Sequence, residues 1–270
     1  MHPILFTVFG FQVHTFGVAM VAAFVLSVAL ARSRAPRFGM TKDQVGDMAF
    51  WAILAGVLGA RLFFILQEWG YYSAHPRELL TLQFQGLTSF GGLLCGMGAA
   101  MVWAWRKGIP VRNLLDCVAP AFLVGHAVGR VGCLMNGCCF GGVCPDTVWG
   151  ALHIDGANHY PAQIYDSLMN LGALALILGV EKRTAMRAGQ VTGLVIALHG
   201  AARFVYEFWR AGTDAQVRAG EASSTYWTGF PLHITQAQGM AFVLILLGVG
   251  MFAFSHRRAP ISTPTTPAAA

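Results

Sequence analysis

Arg130 and Arg203 each stand in, or at the end of, a long apolar run, and each follows a histidine by four residues, His126 and His199. On a helix, positions i and i+4 share one face, so each pair forms a short cationic stripe. A charged side chain near the middle of a bilayer costs roughly 2.5–3.5 kcal/mol even on lenient insertion scales, and one kept there has a task by default. Two such stripes on two membrane helices suit an anion held between them, and in a membrane the obvious anion is a phospholipid phosphate. The planar guanidinium fork matches phosphate oxygens, which a lysine ammonium does not. Glu207, four residues beyond Arg203, is spaced to pair with it, either to orient the arginine or as a purely structural ion pair.

Around Arg130 the chain reads Gly129-Arg130-Val131-Gly132-Cys133-Leu134-Met135-Asn136-Gly137-Cys138-Cys139-Phe140-Gly141. Its glycines permit tight, irregular backbone at a helix end, where N–H groups can be presented to an anion. At membrane depth such backbone is tolerated only where it lines a cavity or is buried in protein. The bland alternative is a glycine-rich helix cap with a snorkelling arginine. Asn136 either donates to a bound headgroup or caps a turn.

These groups must be positioned by membrane helices. The 270 residues are 56% hydrophobic and only 11% charged, with mean hydropathy +0.57, whereas soluble domains carry about 25% charged residues. Seven apolar stretches fall near 10–31, 47–66, 88–105, 114–131, 162–180, 189–207 and 234–255, each close to the roughly 20 residues that a spanning helix needs. The stretch at 114–131 is the weakest, interrupted by Asp116 and Pro120. The expectation is an all-α polytopic membrane protein of about seven spans, with 1–260 as one domain and 261–270 as a disordered cytoplasmic tail rich in Pro, Thr and Ala. The first span reads as a retained anchor. Segment 78–92 is weakly amphipathic and suits the interface before the chain enters through Phe90-Gly91-Gly92, glycines that also fit close helix packing.

Twelve of the eighteen Lys and Arg (Arg32, Arg34, Arg37, Lys42, Arg106, Lys107, Arg112, Lys182, Arg183, Arg187, Arg257 and Arg258) fall on one side of these spans. The positive-inside rule makes that side cytoplasmic, leaving the N-terminus outside and the C-terminus inside. The formal charge of +6 follows from this asymmetry and gives no support for nucleic-acid binding. The long outer segments near 67–88, 132–162 and 208–233 border the arginines, which places the expected site on the outer face.

These motifs resemble those of the prolipoprotein diacylglyceryl transferases, bacterial membrane enzymes that begin lipoprotein maturation. The family signature Gly-Arg-x-Gly-Asn-Phe-x-Asn-Gly-Glu, followed closely by Gly, is matched at Gly129, Arg130, Gly132, Asn136, Gly137 and Gly141. The resemblance runs through Val13–Gly17, Gly59-Ala60-Arg61, Ser89–Leu93, Asp116 with Pro120, Tyr160–Tyr165, Arg203–Arg210 and Ile234–Gln238, in the expected order. It implies that diacylglyceryl passes from phosphatidylglycerol to the thiol of a lipobox cysteine on a secretory precursor, leaving a thioether and glycerol-1-phosphate. Taken with the spacings above, the expected catalytic residues are Arg130, Arg203, Glu207 and His199, with Asn136, Gly132, Gly137, Gly141, Phe90 and Arg61 around the substrates. The implied setting is the bacterial inner membrane, with a periplasm-facing site in a monomer. Membrane lipids and the precursor's signal-peptide region are its partners, and no cofactor or metal is expected.

The chain departs from the family pattern at several polar positions, which marks a divergent branch. Cys133 stands where the signature has Asn, and Cys138 where it has Glu. Phe16, Phe90 and His199 replace a tyrosine, a histidine or tyrosine, and a tyrosine respectively. His199 or His126 is then available as a base, and each also reads as a satisfied polar residue of the bundle. Cys95 and Cys117 lie in spans and read as small packing residues. Cys133, Cys138, Cys139 and Cys144 crowd one outer segment, so at least one disulfide is expected there. A zinc site is less favoured, because no C-x-x-C pair is present. A membrane thiol–disulfide oxidoreductase would explain the cysteines but leave Arg130, Arg203 and Glu207 without a task. A non-catalytic lipid-binding relative is the third reading.

Overall fold

A computed structural model describes residues 4–8, 11–75, 88–154, 156–210 and 234–255. The expected tail at 261–270, positions 78–87 of the amphipathic segment, and Arg77, Arg218, Arg257 and Arg258 lie outside the described residues. An antiparallel pair, β1 (Ile4–Val8) and β2 (Phe11–His14), leads into α1 (Thr15–Arg34) and a 3-10 turn at Ala35–Phe38. There follow α2 (Lys42–Gln67), the short α3 (Trp69–Ala74), α4 (Ser89–Arg106) and α5 (Val111–Asn136). After a small hairpin of β3 (Leu152–Ile154) and β4 (Ala157–His159), the chain ends its described course in α6 (Ala162–Arg183), α7 (Gln190–Arg210) and α8 (Gln236–Ser255).

Among the described residues, α1, α2 and α5 to α8 are long and apolar enough to cross a membrane. The other expected span is α4, whose 18 residues extend about 27 Å, close to the hydrocarbon thickness. The stretch around Asp116 and Pro120 is one unbroken helix of 26 residues with Pro120 inside it. The apolar side chains largely face outward: Val21, Leu58, Met240 and Leu247 are all exposed, while Asp116, Gln163, Asp166, Asn170 and Glu207 are fully buried. Polar groups inside and apolar groups outside is the arrangement a lipid solvent selects.

The described chain falls into two compact units, one built from residues up to Ala31 and from Leu115 onward, the other from Arg32–Leu114. In the second unit α2 and α4 pack through small residues. A Cβ on Gly91 would lie 2.6 Å from the Gly59 carbonyl oxygen, and Cys95 packs against Gly59. Close packing is thus the role the fold gives Phe90-Gly91-Gly92 and Cys95. Phe90 itself meets Phe63 edge-on, and the Arg61 guanidinium lies over the Phe64 and Tyr72 rings.

In the first unit α7 and α8 approach so closely that a Cβ on Gly248 would sit 2.4 Å from the Ala197 nitrogen. An apolar cluster of Leu123, Ala173, Ile177, Val191 and Val195 joins α5, α6 and α7. The first turn of α7 is fixed by Asp116. Its buried carboxylate accepts the N–H groups of Gly189 and Thr192 together with the Thr192 hydroxyl. Helix N-terminal N–H groups have no intrahelical acceptor, and a carboxylate there also meets the positive end of the helix dipole. Asp116→Ala is expected to cost about 2 kcal/mol, read as a lowered melting temperature of the purified protein in detergent.

Candidate active site

Buried polar side chains of α5, α6 and α7 form a connected cluster in the first unit. His126 and Arg130 lie one turn apart on α5, and both meet Asp166 of α6. Arg130 Nε donates to Asp166 Oδ2 at 2.6 Å, and His126 Nε2 lies 3.1 Å from the same oxygen. Asn170, one turn beyond Asp166, donates from Nδ2 to Asp166 Oδ1 at 2.8 Å. Its Oδ1 lies 2.8 Å from His199 Nδ1 on α7. Because the Asn170 NH2 group is committed to Asp166, its oxygen faces His199, so the Nδ1 of a neutral His199 carries the proton. His199 Nε2 is then the basic atom. Ser167 ties the two helices further by donating to the Ala127 carbonyl.

A second cluster begins one turn later on α7. Arg203 Nη2 and Glu207 Oε2 are 3.0 Å apart, and Arg210 reaches the same carboxylate at 3.2 Å. Glu207 also accepts the Thr235 hydroxyl at 3.3 Å. Thr235 in turn begins α8 with a reciprocal cap, its hydroxyl accepting from Gln238 N and its own N–H donating to Gln238 Oε1. The buried Tyr206 ring links the two clusters, with the Arg130 guanidinium 5.0 Å and the Arg203 guanidinium 4.7 Å from its centroid. Cation–π contacts of this kind are worth about 0.5–2 kcal/mol each and hold the planes without consuming their N–H donors.

Two features of these clusters suit an anion. Arg203 Nη1 is buried and has no hydrogen-bond partner among the described residues. A buried donor left unmade costs about 1–3 kcal/mol and is rare unless something binds there. Moreover, the three guanidiniums of Arg130, Arg203 and Arg210 face two carboxylates, Asp166 and Glu207. Among these five groups one positive charge remains in excess, which suits an anion.

The glycine-rich signature forms the C-terminal end of α5 and the loop beyond it. Gly137, at φ 74°, closes the helix in a left-handed cap: its N–H reaches the Leu134 carbonyl, and the Cys138 N–H reaches back to the Cys133 carbonyl at 3.1 Å. The loop is then stitched to α7 by Gly142 N donating to the Trp209 carbonyl at 2.8 Å, and to the residue after β4 by Gly141 N donating to the Tyr160 carbonyl at 2.9 Å. A Cβ on Gly141 would lie 2.5 Å from the Trp209 oxygen. Gly132 is the point where α5 meets Ala19 and Phe16 of α1. Asn136 is exposed, with its amide 3.8 Å from Cys138 Sγ.

The expected residues therefore divide. Arg130 and His199, with His126, lie in the first cluster and Arg203 with Glu207 in the second, the two joined through Tyr206. Gly137, Gly141 and Asn136 shape the adjoining loop, while Gly132 packs helices. Arg61 and Phe90 belong to the other unit. The residues that sequence reasoning missed are Asp166, Asn170, Tyr206 and Thr235. Asp166 directly follows the Tyr160–Tyr165 stretch, and its place four residues before Asn170 in an apolar run marks a polar face without naming the partner it meets.

The expected disulfide is a correction: all six cysteines are free thiols. Cys144 is buried and held by its backbone to Asn158 at 2.7 Å, and burial pushes its thiol above the ordinary cysteine range. Cys133, Cys138 and Cys139 gather separately, and the backbone cap already closes the loop that a disulfide was expected to pin.

The family model described as prolipoprotein diacylglyceryl transferase matches residues 3–254. A phosphatidylglycerol–prolipoprotein diacylglyceryl transferase of Streptococcus agalactiae is 26% identical over 269 residues, covering 97% of this chain and 99% of the relative. Those of Streptococcus uberis and Lactobacillus delbrueckii subsp. bulgaricus are each 28% identical. The first is aligned over 95% of both chains, the second over 78% of this chain and 80% of the relative. With the match running from one end of the described chain to the other, this multi-pass membrane protein belongs to the prolipoprotein diacylglyceryl transferase family.

Proposed function

We propose that the chain transfers diacylglyceryl from phosphatidylglycerol to the lipobox cysteine thiol of prolipoproteins, in the cytoplasmic membrane and at a site on its periplasmic side. The observation that carries this reading is the guanidinium pair on Tyr206, with a buried Arg203 nitrogen that has no hydrogen-bond partner among the described residues. In the transfer, the acceptor sulfur forms a bond to the glycerol carbon as the bond from that carbon to the phosphate oxygen breaks. The electron pair leaves with glycerol-1-phosphate, and the thiol proton must go to a base. Arg130 and Arg203 hold the phosphate and meet the charge that grows on it. Asp166 and Glu207 orient the two arginines and keep the empty site from accumulating charge. His199, with its proton held on Nδ1 by Asn170, offers Nε2 to the thiol proton.

Complementation of a cell depleted of its own diacylglyceryl transferase tests the reading, with a reporter precursor scored by mass for the added diacylglyceryl group. The wild-type chain is expected to restore the mass shift, and its absence would reject the function. In the same assay His199→Phe is expected to lose about 10²-fold in rate, the usual contribution of a positioned general base. The wild-type rate should fall as pH drops through the histidine's titration, because protonation removes the Nε2 lone pair. Full activity in His199→Phe would leave that side chain a packing role only.

A further inference from the structure

Three thiols converge where the signature loop leaves α5. The sulfurs of Cys133, Cys138 and Cys139 all lie within 4.8 Å of one another. Three independent local features bring them there. The left-handed cap at Gly137 reverses the chain one residue before Cys138. Cys139 is the one described non-glycine residue at positive φ, 64°, a conformation unfavourable for a residue with a Cβ, and it folds the Cys139 thiol back to 3.6 Å from Cys138 Sγ. Gln163, fully buried on α6, pins the loop by donating Nε2–H to the Cys138 carbonyl at 2.7 Å.

We propose that Cys133, Cys138 and Cys139 form a three-thiolate site for a soft closed-shell ion, Cu⁺ or Zn²⁺. Bonds of about 2.3 Å to such an ion place sulfurs roughly 3.8–4 Å apart, a spacing close to the 3.6 Å between Cys138 and Cys139 and within the 4.8 Å that bounds the cluster. Thiolates without a carboxylate in the cluster select soft ions over Mg²⁺ and Ca²⁺. On binding, each thiol forms a sulfur–metal bond and releases its proton to solvent. The Asn136 amide, 3.8 Å from Cys138 Sγ, is placed to donate to that sulfur once it is a thiolate ligand. Cys139 is exposed, which provides the entry path and leaves one coordination position open. The spacing C-x₄-C-C lacks a paired C-x-x-C, and the helix cap rather than a knuckle supplies the turn. The site does not depend on the transfer reaction, and its test reads binding alone.

The full-length protein, purified in detergent under reductant and freed of metal by chelation, would be titrated with Cu⁺ against a colorimetric competitor and separately with Zn²⁺. Cd²⁺ serves as a spectroscopic probe of sulfur-to-metal charge transfer. One equivalent is expected to bind, with the charge-transfer band present. The ion should protect Cys133, Cys138 and Cys139, but not Cys144, from alkylation mapped by mass spectrometry. Serine at any one of the three is expected to weaken binding at least tenfold, and the triple-serine variant to abolish it, while Cys144→Ser and Cys95→Ser bind normally. The alkylation map needs no variant, so it stands if a serine variant fails to fold. Binding no tighter than that of the triple-serine variant, protection of a different set of cysteines, or recovery of Cys138 and Cys139 joined as a disulfide from reduced protein would overturn the site.

Discussion

Asp166→Ala is expected to remove most lipidation of a reporter precursor, by about 10²-fold or more, and to destabilise the protein by about 3–5 kcal/mol. Its carboxylate is wholly buried and is the anchor shared by Arg130, His126 and Asn170. Removing it leaves the Arg130 charge inside the bundle without its anchoring carboxylate, and it frees the amide that fixes His199. Asp166→Asn keeps the shape but not the charge. It should recover part of the stability and little of the rate, because a neutral amide cannot hold a guanidinium at 2.6 Å as a carboxylate does. Asp166→Glu, one methylene longer, should retain more activity than either. Thermal unfolding in detergent and the rate of reporter mass shift measure the two effects separately. Normal lipidation by Asp166→Ala would show that Arg130 needs no orienting acid.

How much of this was legible in the sequence depended on whether the signal was local. The pairs His126 with Arg130, and Arg203 with Glu207, were readable because both members sit one turn apart on one helix, and the structure places each pair on a shared face. The fold class and nearly all the helix positions followed from hydropathy. Asp166 was not readable, because its partner Arg130 lies 36 residues away on a different helix and nothing in the spacing of α6 says which neighbour it faces. Tyr206 lay within a stretch already noted, yet its role, a ring that carries two guanidiniums, exists only after α5 and α7 are packed. The cysteines misled for a related reason. Crowded cysteines in an outer segment favour disulfides by composition, but whether thiols bond or merely converge is set by the cap at Gly137 and the left-handed Cys139. Gly132 and Gly141 were read as substrate residues because they belong to the signature. The structure has Gly132 against α1 and Gly141 against the Trp209 carbonyl, contacts that permit no Cβ.

Arg203→Ala is expected to lower kcat/KM for reporter lipidation by roughly 10²–10³-fold, the range for loss of one preorganised donor to developing charge. The prediction also concerns how the loss divides. The phosphate of phosphatidylglycerol carries one charge as a diester, whereas the glycerol phosphate that departs is a monoester and gains a second as the carbon–oxygen bond breaks. A donor that met both states equally would affect KM alone, since uniform binding does not raise kcat. Nη1 of Arg203 is buried with no hydrogen-bond partner among the described residues, and Glu207 fixes the guanidinium through Nη2, so this donor is in place before a lipid arrives. Preorganisation of that kind counts most where charge increases, so kcat should fall along with kcat/KM. Arg203→Lys should lose at least tenfold, because one ammonium cannot face Glu207 and the phosphate together as the planar fork does. Glu207→Gln should move the same parameters less, since Arg203 keeps its charge and its place over Tyr206 but loses the partner that sets its plane. A rise in KM with kcat unchanged in Arg203→Ala would reduce this arginine to a headgroup anchor, and wild-type kinetics would remove it from the reaction altogether.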